Sequence, residues 1–201
     1  MTVPILVGAA SFFILLASDH ADARGRALLR RATMIAASLA FVLASAALLA
    51  APEKLTLPLA VRIAGVVLSL PFLGLLVSSL FLEVSAGARR HEGDGKKRLV
   101  TTGTYALVRH PGVLWLFFLH VCLVGASASV PFFVALPFWT AANVLLALVQ
   151  DRTSFPLLFG VEYREYRHRV PFLVPTAASI RRCLATAANR RSHEGSEIKE
   201  G

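Results

Sequence analysis

Two polar segments contain the side chains whose types and spacing could do chemistry. The first is Leu99-Val100-Thr101-Thr102-Gly103-Thr104-Tyr105-Ala106-Leu107-Val108-Arg109-His110-Pro111. Gly103 permits a tight turn or a close backbone approach to a ligand. Pro111 suits the first turn of a helix, where a missing donor costs nothing. Arg109 and His110 stand immediately before that helix, near its unsatisfied N–H groups and the positive end of its dipole. Such a place can take a carboxylate or phosphate; the competing reading is an arginine that reaches lipid headgroups.

The second segment starts with Gln150-Asp151-Arg152 and continues through Phe159-Gly160-Val161-Glu162-Tyr163-Arg164-Glu165-Tyr166 to Val170-Pro171-Phe172-Leu173-Val174-Pro175. Asp151 closes an apolar stretch, where an ionised acid is expensive without a partner. Tyr163, Tyr166 and Val170 recur at helical spacing and define one face of a short helix. By spacing alone, that helix is better read as amphipathic and lying on a bilayer than as a binding element. Pro171 and Pro175 end it and turn the chain.

The elements that must position these segments are apolar. The 201 residues are 56% hydrophobic and only 16% charged, below the roughly one quarter usual for soluble domains. The charges lie between long apolar blocks, as expected where about 20 apolar residues cross a hydrocarbon core of about 30 Å. Five transmembrane helices are predicted, over about 2–17, 32–51, 57–82, 113–127 and 131–149. No basic residue precedes the first block, which favours a span over a signal peptide. Pro71 lies inside the third, where a kink is expected. The last two form a hairpin through the small residues and proline of Gly125 to Pro131. Five spans put nineteen Lys and Arg on one side and two, Lys54 and Arg62, on the other. Loop positives mark the cytoplasmic face, so the N-terminus is expected outside and the C-terminus inside, with both polar segments cytoplasmic. The expected architecture is an all-α integral membrane protein: a single transmembrane domain over 1–177, ending in a cytoplasmic helical segment, and a basic polar cytoplasmic tail over 178–201.

Taken together and in order, L-V-T-T-G-T-Y-x-x-V-R-H-P before a hairpin and F-G-x-E-Y-x-x-Y-x-x-x-V-P after it resemble the isoprenylcysteine carboxyl methyltransferase family. Relatives of that family methylate phospholipid amines and small thiols. The resemblance covers Leu99 to Pro175; the first three spans match only as hydrophobic helices. It implies a membrane enzyme that transfers a methyl group from S-adenosyl-L-methionine to a lipophilic or membrane-presented acceptor. By motif position, Gly103, Tyr105, Arg109, His110 and Pro111 fall in one cofactor-binding segment, and Glu162, Tyr163 and Tyr166 in the other. Arg109 and Asp151 are the candidates for catalytic roles. The cofactor's carboxylate, ammonium, sulfonium and adenine call for basic, acidic and aromatic groups together. The sequence departs from the family at two places. Asp151-Arg152 stands where two glutamates are usual, and Val113 where tyrosine is common after R-H-P. Pairing of Arg152 with Glu162 or Asp151 would accommodate the reversed charge.

The remaining signals are weaker. His120 and Asn143 are the conspicuous polar residues of the last two spans, and a hydrogen bond between them across the hairpin is the default. Glu83 marks the inner end of the third span. His91 and His193 lack metal-ligand spacing, so no metal is expected. Cys122 and Cys183 imply no disulfide framework. The net charge of +9 is accounted for by anionic headgroups rather than nucleic acid. A non-catalytic membrane binding or scaffold protein that keeps this fold is the alternative; a transporter is disfavoured by the few ionisable residues within the spans.

Overall fold

The structure, a computed structural model, describes residues 2–82 and 99–186. The basic run Arg89–Arg98, with Glu83 and His91, lies outside the described residues, as does the tail from 187 with His193.

The described residues are helical, with no strand. The helices are α1 (Thr2–Ala23), α2 (Ala27–Leu49), α3 (Leu59–Val77), α4 (Pro111–Ser127), α5 (Val130–Val149) and α6 (Phe155–Arg169). π-helical turns, Ser78–Leu82 and Gln150–Ser154, continue α3 and join α5 to α6. Helical backbone returns over 177–186. Four runs are long and apolar enough to cross a membrane: Thr2–Asp19, Ala27–Leu49, Leu59–Leu82 and Val130–Arg169. Helix α4 is apolar but has 17 residues, a rise of about 26 Å against a core of about 30 Å. These helices are compatible with an integral membrane protein.

The chain forms two compact units. One comprises Met1–Gly74 with Trp115–Leu158, the other Leu75–Leu114 with Phe159–Gly201. In the first, Phe12, Ala44, Leu48, Phe132, Ala135, Trp139 and Leu146 make a core shared by α1, α2 and α5. Gly8 leaves the space that the Trp139 indole fills, and Trp139 Nε1 donates to the Ile5 carbonyl at 2.9 Å. Gly65 plays the same part between α3 and α4, where an added Cβ would lie 2.5 Å from the Ala126 nitrogen. Small residues at such crossings let helix backbones approach, which is how helices gain contact where lipid removes the hydrophobic drive. Phe72 stacks on Phe118 with ring centroids 5.2 Å apart.

The turns follow local chemistry. The stretch 18–31 between the first two predicted spans is mostly helical, and the break is confined to the turn around Gly25, at φ +69°. The α4–α5 turn is tight: Ala128 takes φ +52°, and Ser129 Oγ accepts from the Phe132 N–H at 3.3 Å as an N-cap. Ser129 Oγ also donates to the Leu48 carbonyl, while Leu55 and Val130 N–H groups donate to Ala128 and Glu53 carbonyls. The tip of the hairpin is thereby bonded to the link between α2 and α3. Helix α3 continues through Pro71.

Candidate functional site

In the second unit the two motif segments are fastened to each other. Gly103 adopts φ +63°, the left-handed region that glycine enters without a Cβ penalty, and opens a 3-10 turn over Gly103–Ala106. That turn presents Tyr105, whose hydroxyl donates to the Ser79 carbonyl at 3.2 Å. The backbone carbonyl of Tyr105 in turn accepts from the Tyr166 hydroxyl at 2.7 Å. Pro111 begins α4 and is fully buried. Along α6, Tyr163, Tyr166 and Val170 are 1%, 5% and 6% exposed, so the face legible in the sequence is covered by the protein's own chain rather than laid on lipid.

Arg109 makes the strongest connection. Its Nη1 donates to the Arg167 carbonyl at 2.9 Å and the Val170 carbonyl at 2.8 Å, and its backbone N–H donates to Pro171 O at 2.9 Å. Those acceptors are in the last turn of α6 and the two residues that follow it, where carbonyls lack intrahelical partners and the dipole is negative. A guanidinium there answers both needs at once. The sequence placed Arg109 beside the start of α4; the structure turns it to the end of α6. Its Cζ also lies 5.7 Å from the centroid of Phe172, and the His110 ring meets the same phenyl edge-on at 5.1 Å. His110 is 6% exposed.

Of the predicted cofactor-binding residues, Gly103, Tyr105, Arg109, His110, Pro111, Tyr163 and Tyr166 therefore lie within this one unit, at or beside the fastened segments. Glu162 is on the same helix but on its exposed side. Asp151 belongs to the other unit, in the turn Gln150–Ser154, and is 3% exposed. Arg152 beside it is exposed, and among the described residues no ion pair joins it to Asp151 or Glu162. The expected bond between His120 and Asn143 is likewise not formed. His120 instead packs among Phe41, Phe132 and Trp139, with centroids 5.5–5.7 Å away.

Sequence reasoning missed three participants. Phe172 was seen only as part of a proline-bounded stretch. Thr186, whose Oγ1 accepts from the Gly103 N–H at 3.2 Å, lay in an expected tail. Ser79 enters through its carbonyl, which no side-chain pattern announces. The first unit adds an apolar groove of about 560 Å³ on the α4–α5 hairpin, lined by Phe117, Leu136, Pro137, Thr140, Val144 and Leu148 among others. Among the described residues, the buried Thr140 hydroxyl there meets no hydrogen-bond partner.

Compared with protein-family models, curated proteins and solved structures, the chain matches none.

Proposed function

We propose that this chain is a membrane-embedded methyltransferase that uses S-adenosyl-L-methionine and acts on a lipophilic or membrane-presented acceptor. It has five transmembrane helices, with α4 as the short fourth, its N-terminus outside and its C-terminus in the cytoplasm. The observation that carries this reading is the fastening of both motif segments within one unit, by Tyr166 to Tyr105 and by Arg109 to Arg167 and Val170. Two stretches more than fifty residues apart meet there with a basic group, an imidazole and several aromatic rings. The residue types are those the cofactor calls for: Tyr105 and Phe172 are partly exposed aromatics, His110 and Arg109 are polar and cationic, and Glu162, on the exposed side of α6, is a carboxylate for an ammonium. When bound, the cofactor supplies an activated methyl group. Such a transfer is a displacement governed by alignment, so the work left to the protein is to hold donor and acceptor in line.

In this arrangement Arg109 acts first as a positioning residue, since its Nη1 is committed to two backbone carbonyls. Asp151, in the first unit, remains a candidate for a catalytic role. The apolar groove on the α4–α5 hairpin, in the first unit, suits a hydrocarbon chain.

A second reading, a non-catalytic membrane binding or scaffold protein, is favoured by Arg152 at a position the resembled family gives to glutamate. Calorimetry of the purified chain with S-adenosylhomocysteine separates the two. Saturable binding is expected, and the absence of heat at millimolar ligand would sink the methyltransferase reading.

A further inference from the structure

Among the described residues, the helical stretch 177–186 is anchored on one side and exposed on the other. At its start the Thr176 N–H donates to Ser179 Oγ at 2.9 Å and the Ser179 N–H to Thr176 Oγ1 at 3.2 Å, a reciprocal cap. Ser179 is fully buried, and Cys183 and Thr186, four and seven residues along, are partly buried. That stripe is the inward side, tied to the first motif through Thr186 and Gly103. The outward side carries Ile180, 44% exposed, and Leu184, 65% exposed, one helical turn apart. Val174, 78% exposed, precedes them. Arg181 and Arg182 are exposed as well, their Nε atoms leaning on the Ala177 and Ala178 carbonyls. At about 100° per residue, Ile180 and Leu184 lie about 40° apart and Arg181 about 60° beyond Leu184.

A ridge of two neighbouring aliphatic side chains with arginine on its flank is the pattern of helices that lie in a bilayer interface, apolar side down and guanidinium groups on phosphates. Four helices of this chain are long and apolar enough to cross a membrane, so a bilayer is the partner they favour for this helix. We propose that the helix 177–186 docks on a bilayer containing anionic lipid, with Ile180 and Leu184 at the acyl boundary and Arg181 on headgroup phosphates. The proposal does not depend on methyl transfer. It has a consequence for the site nonetheless: the helix that docks also holds the Gly103 turn, so lipid composition reaches the first motif through the Thr186 hydroxyl.

The test uses the full chain in lipid nanodiscs, with an environment-sensitive fluorophore on a cysteine introduced as Leu184→Cys in a Cys183→Ser background. Ala185→Cys on the adjoining face is the control. In discs of phosphatidylcholine with about one third phosphatidylglycerol, the label at 184 should be shielded from an aqueous quencher and the label at 185 should not. Arg181→Gln should lower the shielded-to-open ratio about fivefold, whereas Arg182→Gln, about 160° from Leu184 around the helix, should leave it unchanged. Equal quenching at both positions would overturn the proposal. So would shielding that is the same in phosphatidylcholine alone, or that disappears when residues 187–201 are removed, because the cover would then be protein. Exchange of the Arg109 amide, measured in parallel, shows that each variant keeps the unit folded.

Discussion

Replacing Tyr166 by phenylalanine tests whether the two motif segments are held together as the geometry indicates. The ring of Tyr166 is 95% buried and its hydroxyl donates to the Tyr105 carbonyl at 2.7 Å. Phenylalanine fills the same volume, so the packing contribution is nearly unchanged. What is lost is one neutral hydrogen bond, with a carbonyl left in a partly buried place, together about 1–2 kcal/mol. That converts to about a five- to thirtyfold rise in the population of the locally opened state. The reporter is the Arg109 N–H, which donates to Pro171 O at 2.9 Å across the same junction. Hydrogen exchange followed by mass spectrometry should show peptides covering 103–110 exchanging faster by about that factor, while α1 and α2 keep their wild-type rates. Unchanged exchange at 103–110 would refute the idea that this hydroxyl fastens the segments. A uniform rise across the chain would refute the idea that the effect is local.

Three further outcomes follow from particular residues. In Gly8→Ala, the new methyl would lie 2.3 Å from two ring carbons of Trp139, so the α1–α5 contact should weaken by about 1–3 kcal/mol; a melting temperature in detergent no lower than that of Gly74→Ala, where nothing lies within 4 Å, counts against the packing described here. Gly160 holds φ +56° and ψ −124° inside α6 with open space around it, so Gly160→Ala should cost about 1–3 kcal/mol from backbone strain alone. Wild-type exchange protection at Tyr163 and Tyr166 in that variant would show that the kink is dispensable. For topology, a cysteine at Pro52 should react with an impermeant maleimide from outside intact cells, and one at Ala178 only after permeabilisation; labelling of both from one side reverses or breaks the five-span arrangement.

Much of the helical framework could be read directly from the chain. A helix that crosses hydrocarbon must be apolar along its whole length, so hydropathy marks it; four of the five predicted stretches fall on helices long and apolar enough to cross a membrane, and the other falls on the shorter apolar α4. Gly103 at a positive φ, Pro111 at the start of α4 and the turn before Pro131 were legible for the same local reason: each depends on backbone freedom or a missing donor at that very residue. Helix ends were less legible. Residues 18–23 are polar enough to suggest a loop, yet α1 continues to Ala23, because helical hydrogen bonds do not require apolar side chains.

Tertiary structure decided what those local features are used for. Arg109 could have faced an anion or lipid headgroups; it reaches carbonyls 58 and 61 residues away. Every residue carries a carbonyl, so no spacing or residue type marks which ones will be acceptors. The roles of Phe172, Thr186 and Gly8 were hidden for the same reason: each depends on a group distant in sequence that comes near only when the chain has folded. The residues able to do chemistry were thus written in the sequence, whereas their partners were set by packing.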